Sequence, residues 1–169
     1  QQPRGKQRWI DENFGCWYVQ TTGIWKTVWT EYVPDIRLDY VKMTPNLHDM
    51  ALEIEYQIDA PESAMAGGNL MVVAAVTFGD MLISKTMTVM TSDHTKTKID
   101  VFHKTNGQAN CGMEWGVRTW SPESPDLYDI TFEVVSDGKI LDTVGSYFAM
   151  REIRIDGSNI LLNGHPLYQ

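Results

Sequence analysis

The nine residues "MALEIEYQI" (50–58) carry a large apolar side chain at every second position. Those positions are Met50, Leu52, Ile54, Tyr56 and Ile58. The residues between them are Ala51, Glu53, Glu55 and Gln57. Successive side chains of a strand point to opposite faces, so a period of two predicts a β-strand with one buried and one wet face.

The same period recurs along the chain. Residues 36–40, 95–101 and 128–134 alternate in the same way, and Asp137-Gly138 is a strong hairpin signal before a return strand over residues 139–155. The nearly continuous apolar run of residues 69–79 is typical of a central strand covered on both sides. Seven strands with turn signals between them predict an all-β, immunoglobulin-like antiparallel β-sandwich over residues 34–155, with negligible helix.

One irregularity is expected in the first strand of this sandwich. Ile36, Leu38 and Tyr40 alternate, but the apolar positions then move to Val41 and Met43. A change of parity within one strand indicates a β-bulge or a strand that changes sheet.

Composition excludes several classes of partner. The chain has 169 residues, 43% of them hydrophobic, and a formal net charge of -8. An acidic chain lacks the clustered Lys and Arg that neutralise phosphates, so no nucleic-acid partner is expected. No apolar stretch is long enough for a transmembrane helix, and no signal peptide precedes residue 10, so no membrane partner is expected and the compartment stays undetermined.

The residues that could carry chemistry are sparse. Cys16 and Cys111 do not make a disulfide framework, and whether they form one bridge stays open. The four histidines have no Cys or His partner at metal-ligand spacing, so neither a metal nor another cofactor is expected. Glu53 and Glu55 share the wet face of one strand, where solvated carboxylates are the ordinary case. The sequence therefore predicts no catalytic residue.

The first 33 residues differ from the rest because they are rich in aromatic side chains. Four tryptophans, Trp9, Trp17, Trp25 and Trp29, fall within 21 positions. They fit the core of an aromatic strand pair or hairpin, since large aromatics are mostly buried. They also fit a carbohydrate platform, because flat rings stack on sugar faces. The sequence leaves both interpretations open.

Three separated stretches resemble one enzyme family. "TTGIWKTVWTEYVP" (21–34) resembles the end of the sugar-binding jelly-roll domain of family 2 glycoside hydrolases, the β-galactosidase and β-glucuronidase group. "WSPESPDLYDITFEVV" (120–135) is similar to an element of that family's immunoglobulin-like domain. "YFAMREIRIDGSNILLNGHPLYQ" (147–169) is similar to the segment that enters the catalytic (β/α)8 barrel, with Ala149 and His165 where the family usually has Gly and Lys.

The resemblance implies a domain organisation. Residues 1–33 would be the end of the jelly-roll domain, residues 34–155 a complete immunoglobulin-like domain, and residues 156–169 a linker into a barrel outside this chain. The chain would then be an internal piece of a larger, bacterial, β-galactosidase-like enzyme. Its partners would be the barrel and the sugar-binding domain of the same parent chain, and carbohydrate would be a substrate for the parent only. The chain alone should be inactive, because in this family both catalytic glutamates lie on barrel strands.

Five residues are candidates for structural or domain-junction roles: Trp25, Trp29, Trp120, Tyr128 and Arg151. Tyr128 starts a strand after "SPDL", where a corner tyrosine would return a hydrogen bond to the preceding loop. Trp120 is expected to seal one end of the sandwich. Arg151 interrupts the apolar run "YFAMREI", so its guanidinium is expected to pair with a carboxylate or with loop carbonyls at a domain junction.

Two other classes of protein compete with this interpretation. A free-standing carbohydrate-binding sandwich would use the aromatics of residues 9–29. An adhesion-type immunoglobulin module is disfavoured, because the chain lacks a Cys…Trp…Cys core. The aromatic segment also leads us to expect self-association through residues 9–29, since an exposed two-stranded remnant is a template for strand addition.

Overall fold

A computed structural model describes residues 5–21, 23–24, 26–102 and 116–168. The chain divides into two compact units, Gln1–Tyr32 and Val33–Gln169.

The second unit contains ten strands in three antiparallel sheets over its described residues. The strands are β1 Arg37–Asn46, β2 Ala51–Asp59, β3 Leu70–Phe78, β4 Met81–Val89, β5 His94–Asp100, β6 Tyr128–Ser136, β7 Lys139–Phe148, β8 Ile153–Asp156, β9 Asn159–Leu162 and β10 His165–Pro166. The sheet orders are β1-β2-β5, β4-β3-β6-β7 and β10-β9-β8.

The first two sheets enclose one hydrophobic core. In β2, Leu52, Ile54 and Tyr56 are fully buried, as their period of two predicts. The opposite sheet buries β3 and β6 side chains, and Phe132 of β6 meets the Tyr56 ring edge-on at a centroid distance of 5.9 Å. Two sheets packed through their apolar faces form a β-sandwich. The prediction of an all-β antiparallel sandwich is confirmed.

The expected irregularity in β1 is a β-bulge. The pairing of β1 with β2 shifts between Leu38 and Tyr40. Leu38 is buried on one side of the shift, whereas Tyr40 is 55% exposed and Val41 and Met43 pack against the core. One extra residue thus moves the apolar positions to the other parity, which is what a bulge does.

Helix is limited to one short segment of the described residues. The helix α1, Glu62–Ala66, lies in the loop between β2 and β3, and so short a helix agrees with the prediction of negligible helix. Its buried Met65 packs into the core, and this contact explains why a single turn persists. Nothing helical in the described parts of the chain has the length and apolar character needed to cross a membrane.

The sheet β10-β9-β8 follows the sandwich directly. Its turns are Gly157-Ser158 and Asn163-Gly164, the two tight turns visible in the sequence. Asn163 and Gly164 both have positive φ, at 51° and 84°, as a two-residue hairpin of the Asn-Gly type requires. The domain boundary expected after Ile155 falls inside β8.

The first unit contains no strand in its described residues, so the expected aromatic hairpin is wrong for this part of the chain. An isolated parallel bridge joins Gln7 to Tyr18, and the Tyr18 N–H donates to the Lys6 carbonyl at 2.8 Å. Gly15, with φ of 52°, lies in the turn between the bridged residues. The aromatic segment folds back as a loop and not as a strand pair.

Candidate domain-junction site

The corner between the loop after residue 116 and β6 is built on Tyr128. The Arg118 main-chain N–H donates to the Tyr128 hydroxyl oxygen at 2.8 Å. The Tyr128 ring stacks on Phe148 at a centroid distance of 5.2 Å and lies at the same distance from Phe78. Burial raises the pKa of Tyr128 to about 12. Tyr128 therefore holds the loop to the start of β6 as a neutral phenol.

Trp120 lies beside the segment that leaves β7. Thr119 pairs with Met150 in an isolated parallel bridge, and the Trp120 N–H donates to the Met150 carbonyl at 2.9 Å. The Arg151 guanidinium carbon lies 5.1 Å from the centroid of the Trp120 ring. Arg151 was expected to pair with a carboxylate or a carbonyl, but it stacks on an aromatic face, which also attracts a cation.

The residues after Trp120 form a compact turn. The Ser121 and Ser124 main chains exchange hydrogen bonds of 2.9 and 3.2 Å, and the Ser121 hydroxyl accepts from the Ser124 N–H at 3.1 Å. These bonds hold the loop that follows Trp120, in which Pro122 and Pro125 have no N–H to donate.

Asn163 joins this loop to the last sheet, a role that its sequence context does not predict. Its side-chain Nδ2 donates to the Trp120 carbonyl at 2.9 Å, and its Oδ1 accepts from the Glu152 N–H at 3.0 Å. Its own N–H donates to the Glu152 carbonyl at 2.9 Å. Asn163 has 7% of its surface exposed, and no other polar residue in the described part of the chain is buried. The signal was present as Asn163-Gly164, but it indicated only a turn.

A fourth segment reaches the same place. His48, in the turn between β1 and β2, has its Nε2 3.8 Å from a carboxylate oxygen of Glu152. The junction thus combines the β1–β2 turn, the Trp120 loop, residues 150–152 and the Asn163-Gly164 turn. A neighbouring cavity of about 320 Å³ is lined by Thr119, Ser121, Glu123, Leu162, Asn163, His165, Pro166 and Leu167.

The structure does not bring all the candidate residues together. Trp120 and Arg151 are in contact. Tyr128 instead binds the main-chain N–H of Arg118, two residues before Trp120. Trp29 belongs to the first unit, where it is 70% exposed and its indole N–H donates to Glu31 at 2.8 Å. Trp25 lies outside the described residues. Cys16 is an exposed free cysteine, whereas Cys111 lies outside the described residues.

The first unit has an aromatic cluster of its own. The Trp9 ring meets Phe14 and Trp17 edge-on, both at a centroid distance of 4.8 Å. Trp9 is nevertheless 58% exposed and Trp17 37% exposed. The rings of this cluster pack on one another but remain partly exposed. Their exposure therefore does not decide between a core role and a carbohydrate platform.

Of the two glutamates on the wet face of β2, Glu55 forms ion pairs, whereas Glu53 accepts a hydrogen bond from the Asn46 amide at 3.4 Å. The Glu55 carboxylate lies 3.1 Å from the Lys42 Nζ and 3.3 Å from the Lys96 Nζ, on the two strands that flank β2. The hydrogen bond from Lys42, followed by that from Lys96, lowers the pKa of Glu55. Within the described ranges, no three His, Cys, Asp or Glu side chains form a group that could hold a metal ion.

Two facing antiparallel sheets, a corner tyrosine and a hydrogen-bonded exit define the class as an all-β sandwich domain. A family model, glycosyl hydrolases family 2, matches residues 36–151. The chain belongs to this family. The match begins just before β1 and ends at Arg151, so it covers the sandwich and stops at the junction.

Two curated relatives are β-galactosidases. Beta-galactosidase BgaC of Bifidobacterium adolescentis is 27% identical over 124 residues, which cover 71% of this chain and 12% of the relative. A β-galactosidase of Klebsiella pneumoniae is 25% identical over 169 residues, which cover 94% of this chain and 15% of the relative. The chain therefore spans a small part of the length of the curated relatives it matches.

Solved structures of similar fold are β-glucuronidases. A β-glucuronidase from Ruminococcus gnavus in complex with D-glucaro-d-lactam superposes with a TM-score of 0.53 at 18% identity, covering 80% of this chain and 19% of that chain. The apo structure of Bacteroides uniformis β-glucuronidase 3 gives 0.57 at 14% identity, covering 81% and 15%. At these identities the likeness shows the fold alone.

Proposed function

We propose that residues 34–155 are a non-catalytic, immunoglobulin-like domain of a larger, bacterial family 2 glycoside hydrolase. The parent hydrolyses O-glycosidic bonds and is β-galactosidase-like, as the names of the two curated relatives suggest. Residues 1–33 then belong to its sugar-binding domain, and the chain leads towards its barrel through residues 156–169. The domain serves as a spacer and scaffold between those two parts.

The observation that carries the proposal is the junction at Asn163. A spacer must transmit a fixed direction, so the segment that leaves it has to be held to its core. Three hydrogen bonds of Asn163, to Glu152 and Trp120, hold the sheet β10-β9-β8 in this way. The division of the chain at Tyr32 and Val33 supports a separate origin for the aromatic segment.

The chemistry of the parent would come from outside this domain. Retaining glycosidases use two carboxyl groups about 5–5.5 Å apart, one as nucleophile and one as acid and base. In the proposed parent both are glutamates of the barrel. We therefore expect the 169-residue chain to hydrolyse neither nitrophenyl β-galactoside nor nitrophenyl β-glucuronide. Turnover that survives repurification and is lost on mutating a residue of this chain would contradict the proposal.

A second experiment tests the parentage directly. The reading frame that contains this chain should encode a (β/α)8 segment with two glutamates downstream of residue 169. A frame that encodes no such segment would leave the spacer without a barrel to position.

Exposed tryptophans favour a second candidate, a free-standing carbohydrate-binding module. Trp9 and Trp29 are 58% and 70% exposed. Retention on immobilised β-galactoside, lost in Trp29→Ala but kept in the matched surface change Tyr147→Ala, would favour this candidate. The spacer proposal predicts that the unmodified chain is not retained.

A further inference from the structure

Asn163-Gly164 has the sequence that most readily loses its side-chain amide. In an Asn-Gly pair the glycine main-chain nitrogen attacks the asparagine Cγ with little steric hindrance, because glycine has no Cβ. The N–Cγ bond forms, the Cγ–Nδ2 bond breaks, and ammonia leaves with the proton from the glycine nitrogen. Water then opens the cyclic imide at either carbonyl, which gives aspartate or isoaspartate.

The fold opposes this reaction at Asn163. The nitrogen that must leave donates to the Trp120 carbonyl at 2.9 Å, and Oδ1 is held by the Glu152 N–H at 3.0 Å. The residue is 7% exposed, so water has little access to the side chain. Ring closure therefore requires the junction to open first, and the reaction rate should follow the population of opened molecules.

The products cannot restore the junction. An ionised aspartate at position 163 has no donor for the Trp120 carbonyl, so two acceptor oxygens would face each other, and its protonated form would bury a carboxyl group at the cost of a raised pKa. Isoaspartate adds one atom to the main chain inside a two-residue turn, where His165 pairs with Leu162. Because a hairpin's turn sets its register, either product should release β10 and β9 from the Trp120 loop.

We propose that Asn163 is a hydrolytic modification site, gated by opening of the junction, whose deamidation irreversibly loosens the sheet β10-β9-β8 from the sandwich. The only co-reactant is water. The inference rests on the geometry of Asn163 and stands whether or not the chain is a spacer.

The experiment compares deamidation of the unmodified 169-residue chain in native buffer and in concentrated urea, both at pH 8.5 and 37 °C. Peptide mapping follows the 1 Da mass increase and the isoaspartate content at Asn163. Asn106-Gly107 has the same dipeptide and serves in urea as the sequence-matched reference. We expect similar rates for the two sites in urea, and a rate at Asn163 at least about ten-fold lower in native buffer. Equal native and denatured rates at Asn163 would overturn the gating.

A second measurement tests the consequence. Asn163→Asp supplies the aspartate product directly, and it should lower the melting temperature by about 5 °C, a typical shift for the loss of a buried hydrogen-bonding side chain in a domain of this size. Trp120→Ala, which removes the ring under Arg151, should raise the native deamidation rate several-fold, whereas Trp29→Ala, a change of a tryptophan in the first unit, should not. An Asn163→Asp variant as stable as the parent, with unchanged exchange of the Glu152 amide hydrogen, would overturn the proposed loosening.

Discussion

Two buried tyrosines show how position decides the contribution of one hydroxyl. The Tyr128 oxygen accepts from the Arg118 N–H, so removing the oxygen leaves a main-chain donor without a partner. The Tyr56 hydroxyl lies next to Thr88 Oγ1, but neither oxygen meets the geometry of a hydrogen bond with any described residue. The same substitution to phenylalanine should therefore have opposite effects at the two sites.

The first prediction is that Tyr128→Phe lowers the free energy of unfolding by about 1–3 kcal/mol, the range for a donor left unsatisfied. Urea denaturation monitored by fluorescence measures the change. Tyr147→Phe is the matched control, because Tyr147 is 65% exposed and its change should be within about 0.5 kcal/mol of zero. Equal effects of the two substitutions would contradict the corner role.

The second prediction concerns Tyr56→Phe, which removes a buried hydroxyl whose contact with Thr88 falls outside hydrogen-bonding geometry. Because desolvation of that hydroxyl is unfavourable, the variant should be as stable as the parent protein or more stable at pH 7. A loss above about 1 kcal/mol in the same urea experiment would show that the hydroxyl is satisfied in solution.

Both tyrosines predict a loss of stability at alkaline pH. Burial raises the pKa of Tyr128 to about 12 and raises the pKa of Tyr56 as well, above their ordinary value of 10.0. The unfolded chain therefore ionises first, and stability that is complete below pH 10 falls as the pH rises through 10 to 12. The third prediction is that the free energy of unfolding falls less steeply with pH over this interval in Tyr56→Phe than in the parent protein. Parallel stability curves for the two proteins from pH 9 to 11.5 would refute it.

At the scale of the elements, Asp142 of β7 connects the edges of the two sheets. Its Oδ2 accepts from the Leu38 N–H of β1 at 3.0 Å, immediately before the bulge, and its Oδ1 accepts from the Thr143 N–H at 2.9 Å. Beside the bulge, a carboxylate from the opposite sheet thus accepts from the Leu38 N–H.

The fourth prediction follows from this contact. Asp142→Ala should lower the free energy of unfolding by about 1–3 kcal/mol and should speed hydrogen exchange at Leu38, because the donor loses its acceptor. Asp142→Asn keeps an acceptor oxygen and should recover most of the loss. Asp129→Ala, at an exposed position of β6, serves as the control. Exchange at Leu38 that is unchanged in Asp142→Ala would exclude the role.

The sequence predicts a strand correctly where buried and exposed side chains alternate along it. β2 and β6 each present one face to the core, so their period of two identified them, and the parity change after Tyr40 identified the bulge. The position of the helix α1 was not predicted, because five residues are too few to show a 3.6-residue period. The helix depends on the packing of Met65 into the core, which the sequence does not show. The role of Asn163 was not predicted either, because its partners Trp120 and Glu152 are 43 and 11 residues away in the sequence.

At the scale of the whole molecule, the two units differ in how well they cover their apolar side chains. The second unit buries a contiguous core between two sheets. The first unit exposes large apolar side chains at several of its described positions: Trp9, Ile10, Trp17, Tyr18, Val19, Ile24, Val28, Trp29 and Tyr32. Exposed apolar side chains mark an interaction site or a tendency to associate where they form one patch.

The fifth prediction is that the 169-residue chain self-associates through residues 9–29. The expected strand pair is not present in the described part of this segment, so exposed rings rather than unpaired strand edges would drive the contact. A second copy supplies the same patch, and a twofold axis closes such a contact into a dimer. Light scattering coupled to size exclusion should therefore show a dimer for the full chain.

Deletion of residues 1–28 should leave a folded monomer, because the core lies in the second unit. Trp9→Ser combined with Trp29→Ser should shift the full chain towards monomer, whereas Tyr147→Ser, an equally exposed aromatic of β7, should not. A full chain that stays monomeric at high concentration would mean that its exposed rings do not pair between copies.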